Sequence, residues 1–198
     1  MPIRSALIAA LMLVAGAATA AAEDSPQTPP PDQAPGWTEF QSPERGFAIA
    51  FPGAPKATST PVEGQNPLTQ YEFEVGQGDD TVYNVVVFEY PAGKAPNPPD
   101  LDYYVKLVAA YAKGSDSRLR KKGPATIAGH QGYEATADDN KGTLNHLIDI
   151  VPGGDRIYML VSAGPKGHAG SDDAERFRDS FRLVGDQPVS STTQPTTP

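Results

Sequence analysis

Residues 131–162 constrain the fold of this chain more than any other stretch, because they read as three consecutive strands joined by two turns of recognisable chemistry. Segments 131–137, 143–151 and 156–162 are of strand length and rich in β-branched and aromatic residues. Asn140-Lys141-Gly142 suits a three-residue loop that ends on a left-handed glycine, and Pro152-Gly153-Gly154-Asp155 suits a four-residue turn. The expectation is the centre of an antiparallel sheet.

Those turns set a register and therefore two faces. With Asp139 opposite Thr143 and Val151 opposite Arg156, one face collects Leu144, His146, Ile148, Ile150, Ile157, Met159 and Val161. The other collects Tyr133, Ala135, Leu147, Asp149, Tyr158 and Leu160, and Glu134 falls awkwardly on the greasier side. Both faces are too apolar for water, so a cover is expected on each. In this register Tyr133, Asp149 and Tyr158 form one row across adjacent strands, with both hydroxyls able to approach the carboxylate. Such a row is either a buried network that fixes register or the lining of a ligand pocket.

Residues 1–22 read as a secretory signal peptide, with Arg4, an apolar small-residue run and an Ala18-Thr19-Ala20 cleavage pattern. The run is short for a spanning helix, which needs about 20 apolar residues, and a retained N-terminal anchor is the alternative. The chain is therefore expected to be exported, periplasmic or extracellular, with no transmembrane segment in its mature form. It has no cysteine, which excludes disulfides and a lipid-modified cysteine. Residues 23–36, with Pro26, Pro29, Pro30, Pro31 and Pro35, read as a disordered spacer, and 185–198, rich in Ser, Thr and Pro, as a disordered tail. These tails are either stalks or ordinary disordered ends.

That leaves 37–184 as a single globular domain, long enough to bury most of its surface without staples. Against 24 Asp and Glu stand 16 Lys and Arg, one of them Arg4, which argues against nucleic acid as a partner. The basic cluster Arg118, Arg120, Lys121 and Lys122 reads as a solvated sheet edge. Phe47, Ile49 and Phe51 alternate as a half-buried strand. Segments 69–75 and 81–90 read as a hairpin whose second arm, with Val85, Val86, Val87 and Phe88, is buried on both faces. A helix follows Pro98-Pro99-Asp100, with Leu101, Tyr104, Val105, Val108 and Tyr111 at helical spacing and Gly114 at its C-terminal cap. A second helix is expected from Asp172, with Glu175 completing a capping-box variant and Ala174, Phe177 and Phe181 as its stripe.

Phe47-x-Ile49-x-Phe51-Pro52, Gly132-Tyr133-Glu134, the run from His146 to Ile150, Asp155 to Leu160, and Phe177-x-x-Ser180-Phe181 resemble the PsbP-like domains of exported bacterial proteins. The resemblance extends over most of 37–183 and rests on packing residues. It implies an α+β fold, a central antiparallel sheet with helices packed on both faces. Plant members of that family are extrinsic photosystem II proteins, and bacterial relatives are exported and often lipid-anchored; this chain departs from them in lacking a lipobox cysteine. Only fold and compartment are carried over.

The sequence contains no G-x-S-x-G, H-E-x-x-H, Walker loop or nucleophilic cysteine. Gly76-x-Gly78 lacks a third glycine, and His130, His146 and His168 have no second ligand at metal-binding spacing. His146 lies on the apolar face and is read as a hydrogen-bonded core residue rather than a ligand. Asp138-Asp139-Asn140 sits with its glycine one position early for a calcium loop. No catalytic residue, cofactor or metal is therefore assigned, and the candidate site is the row Tyr133, Asp149 and Tyr158. The function expected is a non-enzymatic binding or interaction module of the cell envelope, its partner an envelope protein or a small ligand. The rival is an envelope hydrolase using Asp149, His146 or a tyrosine, although His146 and Asp149 fall on opposite faces.

Overall fold

A computed structural model of the chain describes residues 36–64, 67–96 and 99–184. The segments expected to be a leader (1–22) and a tail (185–198), and all of the expected 23–36 spacer except Gly36, lie outside the described residues. The elements run β1 (Thr38–Ser42), a 3-10 turn (Pro43–Arg45), β2 (Phe47–Phe51), β3 (Lys56–Val62), β4 (Leu68–Gln77), β5 (Thr81–Glu89) and α1 (Leu101–Gly114). Next come β6 (Ser117–Ile127), β7 (His130–Asp139), β8 (Leu144–Gly153), β9 (Arg156–Pro165), a 3-10 turn (His168–Gly170), α2 (Asp172–Asp179) and β10 (Arg182–Leu183).

The large sheet is antiparallel throughout, in the order β3-β4-β5-β9-β8-β7-β6. The three strands expected at its centre are β7, β8 and β9, and β5, buried from Val82 to Phe88, completes the middle. The basic cluster lies exposed on edge strand β6, where the register slips between Leu119 and Lys121. A bulge and charged side chains both discourage pairing to another sheet. The opposite edge, β3, has no hydrophobic alternation to announce it and is mostly exposed.

The turns account for the register. The Asp139 carboxylate accepts from the backbone N–H of Thr143 (2.7 Å) and Leu144 (2.9 Å) and from the Thr143 hydroxyl (2.9 Å). This draws Thr143 into the loop, so β7 and β8 are joined by four residues, with Gly142 at φ +71 as expected of its left-handed position. One extra loop residue is an odd shift and swaps the faces of β7 relative to β8. Between β8 and β9, Pro152 and Gly153 continue the strand, leaving a two-residue turn at Gly154-Asp155. That is an even shift of two, which moves partners along the strand and preserves faces.

Two cores result. On one face Tyr133, Ala135, Ile148, Ile150, Ile157, Met159 and Val161 pack with Val108 and Tyr111 of α1. On the other, Val85, Val87, Val151, Tyr158 and Leu160 pack with Phe47, Ile49 and Phe51 of β2 and with Phe177 and Phe181. A separate three-stranded sheet, β1-β2-β10, supplies much of this second cover, where the resemblance implied helices. The reason lies in β2: Phe47, Ala48 and Ile49 are all fully buried, so it needs partners on its edges and a sheet beneath. Helix α1 starts at Asp100, whose side chain accepts from Tyr103 N–H, and runs through Gly114 to a cap at Ser115. Helix α2 is capped by Ser171, one residue before the expected Asp172, and Ala174, Phe177 and Phe181 are all buried.

Candidate functional site

The proposed row of Tyr133, Asp149 and Tyr158 is not formed. The pairs are Tyr133↔Ile150, Glu134↔Asp149, Asp149↔Leu160 and Val151↔Tyr158. Tyr133 therefore sits on the α1 face, where its ring stacks on Tyr104 with centroids 5.5 Å apart and planes 3° off parallel. Tyr158 shares the second face with Asp149, but its hydroxyl donates to the Arg45 carbonyl at 2.8 Å and also approaches that of Gly46.

Asp149 stays in the middle of the sheet without either tyrosine. It is 1% exposed, and its Oδ1 has no hydrogen-bond partner. Burial pushes its carboxyl up to about 7, opposed by the charge of Arg178 on α2 and reinforced by Glu134 and Asp179. Arg178 also reaches Glu134 at 3.7 Å, so one guanidinium at the end of α2 faces two carboxylates of the sheet.

On the α1 face, His146 is 1% exposed, with its Nδ1 2.9 Å from the Tyr111 hydroxyl and its Nε2 3.4 Å from Ser117 Oγ. A hydroxyl therefore faces each nitrogen of the ring. Burial lowers the imidazole to about 4, with Asp139 and Asp138 acting against it, so the ring is neutral at pH 7. His146 and Asp149 point to opposite sides of β8, as their spacing requires.

A cleft of about 530 Å³ opens at one end of the large sheet. It lies among Pro43 and Gly46, the end of β5 with Glu89, Tyr90 and Ala92, the β8–β9 turn with Arg156, and Leu183 and Val184. Arg156 Nε donates to Glu89 at 2.7 Å and its Nη2 to the Glu44 carbonyl, while Arg45 binds the same Glu89 at 3.2 Å and lies over the Tyr71 ring. Asp155 accepts from Gly93 N–H, which ties the segment after β5 to the turn. Gly46, at φ +72, has no room for a side chain: a Cβ there would lie 3.0 Å from both Arg156 Nη1 and the Tyr158 hydroxyl. The wall is thus built from main chain and fixed polar groups.

Sequence reading missed this cleft because its residues come from four separated stretches. The available signal was the density of glycine, proline and charge at Ser42-Pro43-Glu44-Arg45-Gly46 and at the β8–β9 turn, which read only as turn chemistry.

No protein-family model and no curated protein matches the sequence. Among solved structures, the chain is similar to the solution structure of cyanobacterial PsbP (CyanoP) from Synechocystis sp. PCC 6803, with a TM-score of 0.55 and 12% identity. That match covers 80% of this chain and 98% of that one. A crystal structure from Bacteroides thetaiotaomicron VPI-5482 is matched at TM-score 0.42 and 15% identity, over 75% of this chain and 48% of that one. The fold is PsbP-like, and no helix among the described residues is long and apolar enough to cross a membrane.

Proposed function

We propose that this chain, whose fold is PsbP-like, is an exported, non-enzymatic binding module that takes an extended segment of an envelope protein into the strand-end cleft. The cleft carries the reading. Its volume is within the range of small-ligand and peptide pockets and suits a few residues of extended chain. Its lining includes Gly153, Gly154, Tyr90 and Ala92, and an arginine already matched to Glu89. A cleft whose arginine is already neutralised suits a segment of balanced charge rather than capture of a free anion. Export rests on the leader pattern of residues 1–22.

Selection from a display library of random extended peptides tests the proposal, with wild type as bait and Ala92→Trp as counter-bait. Ala92 is exposed at the cleft, so tryptophan fills the opening without entering either core. The expected peptides bind wild type and lose at least about tenfold in affinity, about 1.4 kcal/mol, on Ala92→Trp. Peptides that bind both baits equally refute the cleft as the recognition surface.

A further inference from the structure

The face of the large sheet that α1 shares has a polar corner that its core packing does not explain. Strands β4 and β5 pair Gln70↔Phe88, Glu72↔Val86 and Glu74↔Asn84, so Gln70, Glu72, Glu74 and Asn84 all lie on that face. Asn84 is 1% exposed, and neither its Oδ1 nor its Nδ2 has a hydrogen-bond partner. Its neighbour on the other side is Val161, which offers no polar side chain. A buried amide with one free donor and one free acceptor is costly to fold unless something fills both.

The Glu72 carboxylate on the same face is also disfavoured in its charged form. Glu72 is partly buried and accepts from Gln70 Nε2; its carboxyl is raised, first by burial and further by Glu74, against that hydrogen bond. A cation placed between Glu72 and Glu74 would favour the charged form of Glu72. A metal ion suits the corner poorly, because it would satisfy oxygen acceptors and leave the Asn84 N–H without one. Among the described residues no group of three or more His, Cys, Asp or Glu is placed to hold a metal.

We propose that Glu72, Glu74 and Asn84 bind a small organic ammonium ligand that carries an oxygen acceptor next to its amine, of the amino-alcohol or amino-sugar class. The ammonium donates to the two carboxylates and to Asn84 Oδ1, and the adjacent oxygen accepts from Asn84 Nδ2. This site is separate from the cleft. Glu89 lies five residues along β5 from Asn84, about 17 Å at the rise of a strand, and on the other face.

The test is calorimetric titration of the full chain with ethanolamine and with glucosamine, alongside ethylene glycol, calcium chloride and magnesium chloride. Saturable binding of an amine probe is expected, with no binding of ethylene glycol or the metals. Affinity should fall at least tenfold in Glu74→Gln and in Asn84→Leu and stay unchanged in Ala92→Trp, which separates this site from the cleft. Asn84→Leu should melt no lower than wild type, since it removes an unpartnered amide, so lost binding there is not lost folding. Absence of saturable amine binding, amine binding that survives both variants, or calcium or magnesium binding in place of the amine overturns the proposal.

Discussion

Replacing Asp149 by asparagine should raise stability relative to wild type as pH rises from about 4 to about 7, with the gain level at higher pH. Asp149 is buried in mid-sheet with Oδ1 unpartnered, and burial moves its carboxyl from 3.8 to about 7. A carboxyl raised on folding holds its proton more tightly in the folded state, so its contribution favours folding at low pH and is lost as pH rises from about 4 to about 7. At pH 8 the group is ionised in both states, and a shift of about three units weighs against folding by about 4 kcal/mol. At pH 5 roughly one unit has accrued, or about 1.5 kcal/mol. Asparagine does not titrate, so the stability of Asp149→Asn relative to wild type should rise by about 2 to 3 kcal/mol between pH 5 and pH 8. That increment is independent of any fixed loss from the attraction to Arg178. Urea unfolding followed by fluorescence of Trp37, the one tryptophan and 6% exposed against Tyr83, reads it directly. Parallel pH profiles for the two proteins would refute the reasoning.

Three further outcomes can be checked by the same urea unfolding. Gly142→Val should cost about 1 to 3 kcal/mol from the strain of a β-branched residue at φ +71, because no neighbour lies within 4 Å to add a clash; an unchanged midpoint would contradict the turn geometry. His146 has a folded value near 4, below its ordinary 6.5, so its contribution is complete above about 6.5 and lost as pH falls towards 4. His146→Gln should remove that acid slope, and a variant profile as steep as wild type between pH 6.5 and 4 would count against it. Ser171→Ala should cost about 1 kcal/mol by freeing Ala174 N–H at the start of α2, with no loss if the cap is dispensable.

Much of the fold was legible because its signals are local. The strands β7, β8 and β9, the doubly buried β5 and the positive φ of Gly142 follow from alternation, β-branched content and turn chemistry. What escaped was set by contacts between distant residues or by a side chain's choice of partner. Asp139 draws Thr143 out of the strand, and that one-residue difference carries Tyr133 to the opposite face and dissolves the row with Asp149. Glu134, which looked misplaced on an apolar face, stands instead beside Asp149 and within reach of Arg178. β3 lacks any apolar period, and among the described residues β2 pairs with β1 and β10 rather than with the large sheet, a fact no local pattern encodes. Asn84 was hidden inside a run that reads as uniformly buried strand, where an amide left without partners has no sequence signature.

The central claim is that the strand-end cleft recognises a partner segment, and site-specific photo-crosslinking tests it most directly. A photoreactive residue is placed at Ala92 in the cleft and, in a second protein, at Ser59 on the exposed edge strand β3; both are expressed as the full chain, residues 1–22 included, and irradiated in cells. A discrete adduct is expected from position 92 alone, lost when Arg156→Ala opens the Glu89 pairing in the same protein. The same adduct from both positions, or none from position 92, would contradict it.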